Sequence, residues 1–580
     1  MLTLPTSAMS TPPTHWTKPI VGQTVTSKPS IEDPSNTSTR RIETEEVPVV
    51  TDGLHRRLSN RQVQLVAIGG SIGTAVFVSM GGALQRSGPG SLLLAFVIYT
   101  IVLSLCNNCM AEMSVYMPVS GGFVRLAGKW VDDAFGFMAG WNFFFYQVFL
   151  IPFEIVALTL VISYWNDRIP VYAICLGCIF LYGLINIFAV GVYGEAEFYL
   201  SSGKVILLAM LLAFTLVTMA GGNPQHDAYG FRAWSAGYFA EDINTGSLGK
   251  FEGFLSALWT ASFTCVGPEY VSMMAAEAKH PRIYVKTAFK AVYWRIWIFF
   301  VGSALAAGIV VSHTDPTLVA IYTGNGGSTG SAAASPYIIA MGNLGIDVLP
   351  HVVTFFLATT IFSAGSAYTY CSTRTLYGLA LEGRAPHFLT KTTKKGAPIN
   401  CLAVVMVFPL FSLLQLSSSS AKVLDWLISL TTAATLIDYI VICVTYICFH
   451  RACKTHNFDR SRLPYIGQFQ PYSAYIGLVW MSCVVICYGY RSLSPFDPTS
   501  FFIHYTMVLL APLLFCFWKY YKHTKTLRPD EVDLVWDAPR ITAYEELLSD
   551  VEPPVGFLRD IANHFSVKRL MKRRDIDGRV

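Results

Sequence analysis

The chain has 580 residues, 53% of them hydrophobic, 14% aromatic and only 14% charged. Soluble domains carry about 25% charged residues, so a soluble chain of this composition could not cover its own apolar surface, and lipid is the solvent it suits. The net charge of +5 is small and spread out, with no basic block interleaved with aromatics, which argues against nucleic acid as a partner.

Residues 1–53 read as a disordered cytoplasmic N-terminal tail. Ser7 to Thr14 and Thr24 to Thr39 are rich in Ser, Thr and Pro, and hold too few large apolar residues to offset the entropy of ordering. No apolar stretch of signal-peptide length lies there, so the first membrane helix is expected to act as its own insertion signal.

From residue 54 to 520, apolar segments near the ~20-residue spanning length recur twelve times. They lie near 63–83, 91–112, 134–162, 171–190, 197–220 and 253–276, then near 291–311, 347–371, 401–417, 424–449, 473–490 and 501–518. An even count puts both termini on one side. The loops on that side hold fifteen Lys and Arg, against six on the other, and positive loops stay in the cytoplasm. Both termini are therefore expected there. The C-terminal tail, 521–580, ends in a basic run, Lys568 to Arg574, of the kind that touches anionic membrane lipid, although plain solvated chain fits as well.

Thirteen cysteines lie mostly inside apolar runs. The CxxC spacings at Cys106/Cys109 and Cys175/Cys178 lack the second polar pair that zinc needs. No metal and no cofactor are expected.

Two spans should not be straight. The first holds Gly69-Gly70-Ser71-Ile72-Gly73-Thr74-Ala75, and the sixth holds Thr264-Cys265-Val266-Gly267-Pro268-Glu269. Glycine is a poor helix former, and proline removes a backbone donor and clashes with the preceding turn. In hydrocarbon the freed backbone groups need partners from protein, water or a ligand. Two interrupted helices at corresponding places, five helices apart, point to a solute site in a transporter of inverted repeats. Amides exposed at such a break suit a carboxylate. The substrate-binding candidates are Gly70, Ser71, Ile72, Gly73, Thr74, Val266, Gly267 and Glu269. Glycines that merely let helices pack closely are the structural alternative. A charge at mid-membrane costs at least ~2.5–3.5 kcal/mol, so Glu269 should face water, be protonated, or meet a cation such as a substrate ammonium. A plain hydrogen bond to a neighbouring helix is the other reading.

Further ordered motifs carry a resemblance. They include Glu112-Met113 with Pro118 to Gly122, Gly136 to Asn142, Pro152-Phe153-Glu154, Gly267-Pro268-Glu269 with Ala276-Glu277, and His280-Pro281-Arg282. Ser372 to Tyr377, Arg384-Ala385-Pro386 and Leu463-Pro464-Tyr465 follow. From about Leu54 to Asp533 the chain resembles the fungal amino acid permeases of the amino acid–polyamine–organocation superfamily. Gly222 to Asp227 and Gly365 to Cys371 are most similar to a smaller branch linked to carnitine and polyamine uptake. The resemblance implies an all-α fold of twelve transmembrane helices, a five-plus-five inverted repeat with broken helices 1 and 6 plus two extra helices. It also implies a plasma-membrane location, and regulation by ubiquitin-ligase machinery on the tails, with Lys18 and Lys28 as accessible acceptors or merely solvated lysines.

Two departures from the family stand out. The first-helix motif ends Gly73-Thr74-Ala75 where Gly-Thr-Gly is usual, and Asp438 replaces a common tryptophan in the tenth helix. Asp438 is a specificity candidate, either favouring more cationic substrates or pairing internally. Lys204 joins Glu269 as a proton-coupling candidate, because similar proton-coupled relatives carry a lysine in the fifth helix where sodium-coupled cousins bind an ion. It either switches with protonation or snorkels to the cytoplasmic interface.

The expected function is import of amino acids or related small amines by proton symport. A proton crossing ~100 mV releases ~2.3 kcal/mol, enough at ~1.4 kcal/mol per tenfold for roughly 50-fold accumulation. No GxxxxGK[ST] phosphate loop, HExxH metal motif or nucleophile elbow occurs, so neither an ATP-driven pump nor an enzyme is indicated. The alternative is a nutrient receptor that binds amino acids or polyamines and signals with little transport.

Overall fold

The computed structural model describes residues 56, 58–71, 73–166, 168–188, 193–323, 335–393, 397–418, 420–493, 495–551, 553–557, 559–563 and 566. The expected N-terminal tail at 1–53, Lys18, Lys28, Ile72 and the basic run 568–574 lie outside them. No β-strand occurs among the described residues, only isolated bridges at Leu58–Ala278 and Leu493–Phe496.

The chain opens with α1 (Asn60–Ser71), followed after Gly73 by a 3₁₀ turn (Thr74–Val76) and α2 (Ser79–Tyr116). The first expected span is thus broken at Gly73, and α2 joins its second half to the second expected span across a kink at Gly88. Within α2, Gly88 takes φ 75°, and Pro89 follows it. Proline cannot donate to the ladder, and glycine alone takes that φ freely, so the backbone leaves helical geometry there and two helical segments meet at a kink, between the first two expected spans.

Next come α3 (Gly122–Trp130), α4 (Asp133–Ile162), α5 (Val171–Phe188) and α6 (Tyr193–Met219). The second interrupted span consists of α7 (Gly246–Thr264) and α8 (Pro268–Met273). Beyond it lie α9 (Pro281–Arg295), α10 (Gly302–Val310), α11 (Pro316–Thr323), α12 (Pro336–Asn343), α13 (Leu349–Leu381), α14 (Ile399–Val405), α15 (Ser420–Thr455), α16 (Tyr472–Cys487), α17 (Pro498–Lys522) and α18 (Ala538–Val551). Among the described residues, nine helical stretches are long and apolar enough to cross a membrane, and Val171–Ile187 is a shorter apolar one.

The centre of the bundle is α4, which packs against α13, α15, α17 and α3. In α4 and α15, 78% of the most apolar stretch is buried inside the protein, against 11% in α17. A helix that is apolar on all sides belongs inside, and α4 fits that rule with Phe143, Phe144, Ile151 and Phe153 all buried. Asp132 caps its start by accepting from the Ala134 amide at 2.9 Å.

The segment after α17 is ordered chain laid across the end of the bundle where α2 finishes. Thr524 and Thr526 donate to the Asp132 carboxylate, at 2.7 and 2.9 Å, and Lys519 pairs with the same group. Trp130 Nε1 donates to the Asp533 carbonyl at 3.2 Å, and Tyr116 Oη to the Leu534 carbonyl at 2.9 Å. The guanidinium of Arg125 stacks over the Trp536 ring at 5.0 Å. Arg282 donates to Thr542 Oγ1 at 2.8 Å and through its backbone amide to Glu545 at 2.8 Å. Farther on, the Val555 carbonyl and the Asp560 carboxylate accept from Asn60 Nδ2 and the Arg61 amide, at 3.0 and 2.8 Å. Val532, Leu534 and Ile541 of this strap are buried. It therefore reaches the start of α1, which is also paired through Leu58 with the chain after α8: Leu58 N to Glu277 O at 2.9 Å, and Lys279 N to Leu58 O at 3.0 Å.

Candidate functional site

The two helix breaks are neighbours. The 3₁₀ turn after the first touches α7 and α13, and α1 touches α8. At the first break, Gly70 and Ser71 form the end of α1. Gly73 is extended, with φ −103° and ψ −170°, and so interrupts the helix without strain. Thr74 is fully buried, and its hydroxyl donates to Glu154 Oε2 on α4. A Cβ built on Gly73 would stand 3.5 Å from Tyr368 Oη and 3.6 Å from Glu154 Oε1. The first break is therefore walled by a carboxyl group.

Sequence reasoning met Glu154 only as the last letter of Pro152-Phe153-Glu154. The signal was there: an ionisable residue in mid-span is a functional candidate by default. Lys204, on α6, has no exposed surface, so it does not snorkel to an interface. Its ammonium lies within electrostatic reach of Glu154.

At the second break, α7 ends at Thr264, and the Cys265 amide closes its last turn on the Ala261 carbonyl at 2.8 Å. Val266 is buried. Gly267 adopts φ 148°, a conformation L side chains rarely take. Pro268 opens α8, where its missing N–H leaves no bond unmade. Glu269 turns back over this break. Its Oε1 and Oε2 accept from the Gly267 amide at 3.3 and 3.1 Å, and Oε2 also accepts from Tyr439 Oη on α15 at 2.8 Å. The hydrogen bond to a neighbouring helix is thus present, and no cation pairs with Glu269 among the described residues. The next residue, Tyr270, donates through its hydroxyl to Tyr146 Oη on α4 at 3.4 Å.

Asp438 precedes Tyr439 on α15 and is buried. Its Oδ1 accepts from Asn142 Nδ2 on α4 at 2.9 Å, so part of its bonding is internal. The structure thus gathers Gly73, Thr74, Gly267, Glu269, Asp438 and Lys204 around α4, and adds Glu154, Asn142, Tyr146, Tyr368 and Tyr439. Among the described residues no three His, Cys, Asp or Glu side chains cluster as metal ligands. The thirteen cysteines are free thiols, with Cys106 and Cys443 Sγ atoms 3.7 Å apart.

Apolar helices of spanning length, two of them broken beside buried carboxyl groups, define a multi-pass membrane transporter. The family model for amino acid permeases matches residues 62–530, and the chain belongs to that family. It is a permease and not an enzyme. The chain is 45% identical over 500 residues to the general amino acid permease AGP2 of Saccharomyces cerevisiae, covering 84% of this chain and 83% of the relative. The dicarboxylic amino acid permease of the same yeast is 33% identical, with 87% and 84% covered. The lysine/arginine permease CAN1 of Candida albicans is 34% identical, with 79% of each chain covered. These relatives are permeases by name, which lends the receptor alternative no support.

Proposed function

We propose that this protein imports amino acids or related small amines across the plasma membrane by proton symport with alternating access. Twelve spans in a five-plus-five inverted repeat with two extra helices, and both termini in the cytoplasm, complete the reading. The observation that carries it is the Glu154 carboxyl beside the first helix break, bonded to Thr74 and 3.6 Å from where a Gly73 side chain would begin.

The backbone at Gly70, Ser71, Ile72, Gly73 and Thr74 suits a solute carboxylate, as a broken helix does. Glu269, with Val266 and Gly267 shaping its turn, offers the opposing negative charge for the ammonium. A solute carboxylate and an ionised Glu154 repel one another at such short range, so carboxylate binding and protonation of Glu154 favour each other. A proton taken up on Glu154 from the outer side admits the solute. Its loss to water on the inner side restores the negative charge and expels the carboxylate inward. The Lys204 ammonium steadies the ionised Glu154 of the empty carrier. Solute and proton then move in the same direction, which is the requirement of symport.

The test is uptake of labelled neutral, acidic and basic amino acids in permease-deficient fungal cells, with and without a protonophore. Accumulation should collapse with the protonophore. Glu154→Gln, which mimics the protonated form, should still bind and exchange solute but not concentrate it. Unchanged accumulation in either condition overturns proton coupling. Reconstituted wild-type protein that binds amino acids without any flux would instead establish a receptor.

A further inference from the structure

Two groups of helices meet at the end of the bundle where the strap lies. On one side, α1 and α8 are the halves of the two broken helices, and they pack against each other and against α9. Leu58 ties this group together through the backbone of Glu277 and Lys279. Opposite stand α3 and the start of α4, the helix that carries Glu154. A solute held between the breaks and α4 leaves toward this end only where the first group parts from the second. Here the two are pressed shut. A Cβ on Gly122, at the start of α3, would lie 2.7 Å from the Ser272 carbonyl oxygen of α8. On the neighbouring α2, the Ser114 hydroxyl is 2.8 Å from that of Ser272.

The strap is bonded to both groups. Its first stretch is fastened to α3 and α4: Thr524 and Thr526 donate to Asp132, the Leu527 amide to the Val131 carbonyl at 2.9 Å, and Trp130 to the Asp533 carbonyl. Its second stretch is fastened to α9 and α1. Arg282 holds Thr542 and Glu545, and the Val555 amide donates to Tyr284 Oη at 3.2 Å. Asn60 and Arg61 donate to the Val555 carbonyl and the Asp560 carboxylate. Asp560 thereby places an anion on the first turn of α1, where the helix dipole favours one, and its Oδ1 stands 3.9 Å from Arg61 Nε. The two stretches are joined by α18, a helix that does not stretch. Parting the two groups therefore breaks one set of these bonds. The first stretch is anchored by buried Val532 and Leu534, whereas Val555 and Asp560 are partly exposed. Bonds open to water are the weaker, so the second stretch is the one that yields.

We propose that the strap is a latch on solute exit, which holds this end of the carrier closed and slows release until its second stretch lets go of α1 and α9. This rests on the transport reading above and adds a regulated step to it. The latch acts from outside the site, by favouring the closed arrangement over the open one.

The experiment combines Glu545→Ala with Asp560→Ala in the full chain, both on the strap and away from the breaks. Limited proteolysis of the purified protein should cut the strap sooner in this double variant than in wild type. Ser114→Cys, added to both forms, reports opening: its reaction with a maleimide, mapped by mass spectrometry, should be at least about threefold faster in the double variant, as a larger open population requires. Native Cys106 and Cys443, buried farther along the bundle, should stay unreactive in both. Without the reporter, reconstituted double variant should exchange labelled L-leucine or L-lysine at least about threefold faster than wild type. A strap that stays protease-resistant in the double variant overturns the inference, because the named bonds then do not hold it. A freed strap with unchanged labelling of Ser114→Cys overturns it too, as does joint exposure of Cys106 and Cys443, which marks general loosening. Normal exchange unaltered by a freed strap rejects only the latch. No exchange of leucine or lysine by any form, wild type included, rejects the transport reading, and the latch with it.

Discussion

Substitution of Gly73 separates a pocket wall from mere helix packing. With φ −103° the backbone accepts any L residue, so only space decides the outcome. An added methyl would rest 3.5 Å from Tyr368 Oη and 3.6 Å from Glu154 Oε1, ordinary contact distances. Gly73→Ala should therefore fold normally and be neutral or stabilised by about 0.4–1 kcal/mol through the unfolded chain. Valine adds two γ-carbons, each ~1.5 Å beyond the β-carbon, filling two of the three staggered positions. At least one of them must crowd the hydroxyl or the carboxyl group. Overpacking of this kind costs about 1–3 kcal/mol, or roughly 5- to 150-fold in an equilibrium, and the carbon also occupies the place assigned to the solute carboxylate. Surface-labelled protein and initial uptake rates should be measured for the glycine, alanine and valine forms in the same cells. The expected result is near-normal delivery for all three, uptake within several-fold of wild type for alanine, and almost none for valine. Normal uptake by correctly delivered Gly73→Val would refute the carboxylate pocket, and a dead, well-delivered Gly73→Ala would refute the spatial reasoning.

Tyr439→Phe removes one donor from Glu269 while keeping the ring. Hydrogen bonds to charged groups are worth about 1.5–3 kcal/mol, so kcat/KM for uptake should fall roughly 10- to 150-fold, and a change under twofold would detach Tyr439 from the mechanism. Arg282→Ala strips the strap of its bonds to Thr542 and Glu545. Limited proteolysis should then cut the 527–557 region well before the helices, and an unchanged cleavage pattern would show that this arginine does not hold the strap. Asp132 adds a pH dependence: burial pushes its carboxyl up, but the bonds from Lys519, Thr524, the Ala134 amide and Thr526 outweigh this and hold it below its ordinary value. A lowered carboxyl stabilises the contact above the ordinary range near pH 4, and that contribution is lost as the pH falls through it. Protease resistance of the strap should be level from pH 7 to 5 and decline below about pH 4, whereas Asp132→Asn should be loose at every pH. Equal resistance of Asp132→Asn and wild type at pH 7 would rule this tether out.

Composition and local chemistry made much of the molecule legible. The excess of apolar residues requires lipid whatever the tertiary arrangement, because no folding can hide that much surface in one soluble core. The breaks at Gly73 and Gly267-Pro268 were equally readable, since glycine's freedom and proline's missing N–H act within a few residues of themselves. The kink at Gly88-Pro89 falls between the first two expected spans and has the same local cause.

Which side chains meet across the bundle was beyond the sequence. Glu154 and Thr74 are eighty positions apart, and Asn142 and Asp438 nearly three hundred. Helical periodicity gives each residue a face but not the partner that face will find. Lys204 shows the same limit: near the start of a span it could equally snorkel or be buried, and only the packing of α6 leaves it with no exposed surface. The strap after α17 reads as an ordinary tail because acidic residues are interspersed among its apolar ones and no apolar run is long enough to span. Its order comes from long-range bonds to Asp132, Trp130, Tyr116 and Arg282, groups distributed over the bundle end. The sequence by itself determined the solvent, the class of fold and the places where helices break. The tertiary structure decided which carboxyl groups face those breaks, because only packing converts separation along the chain into contact.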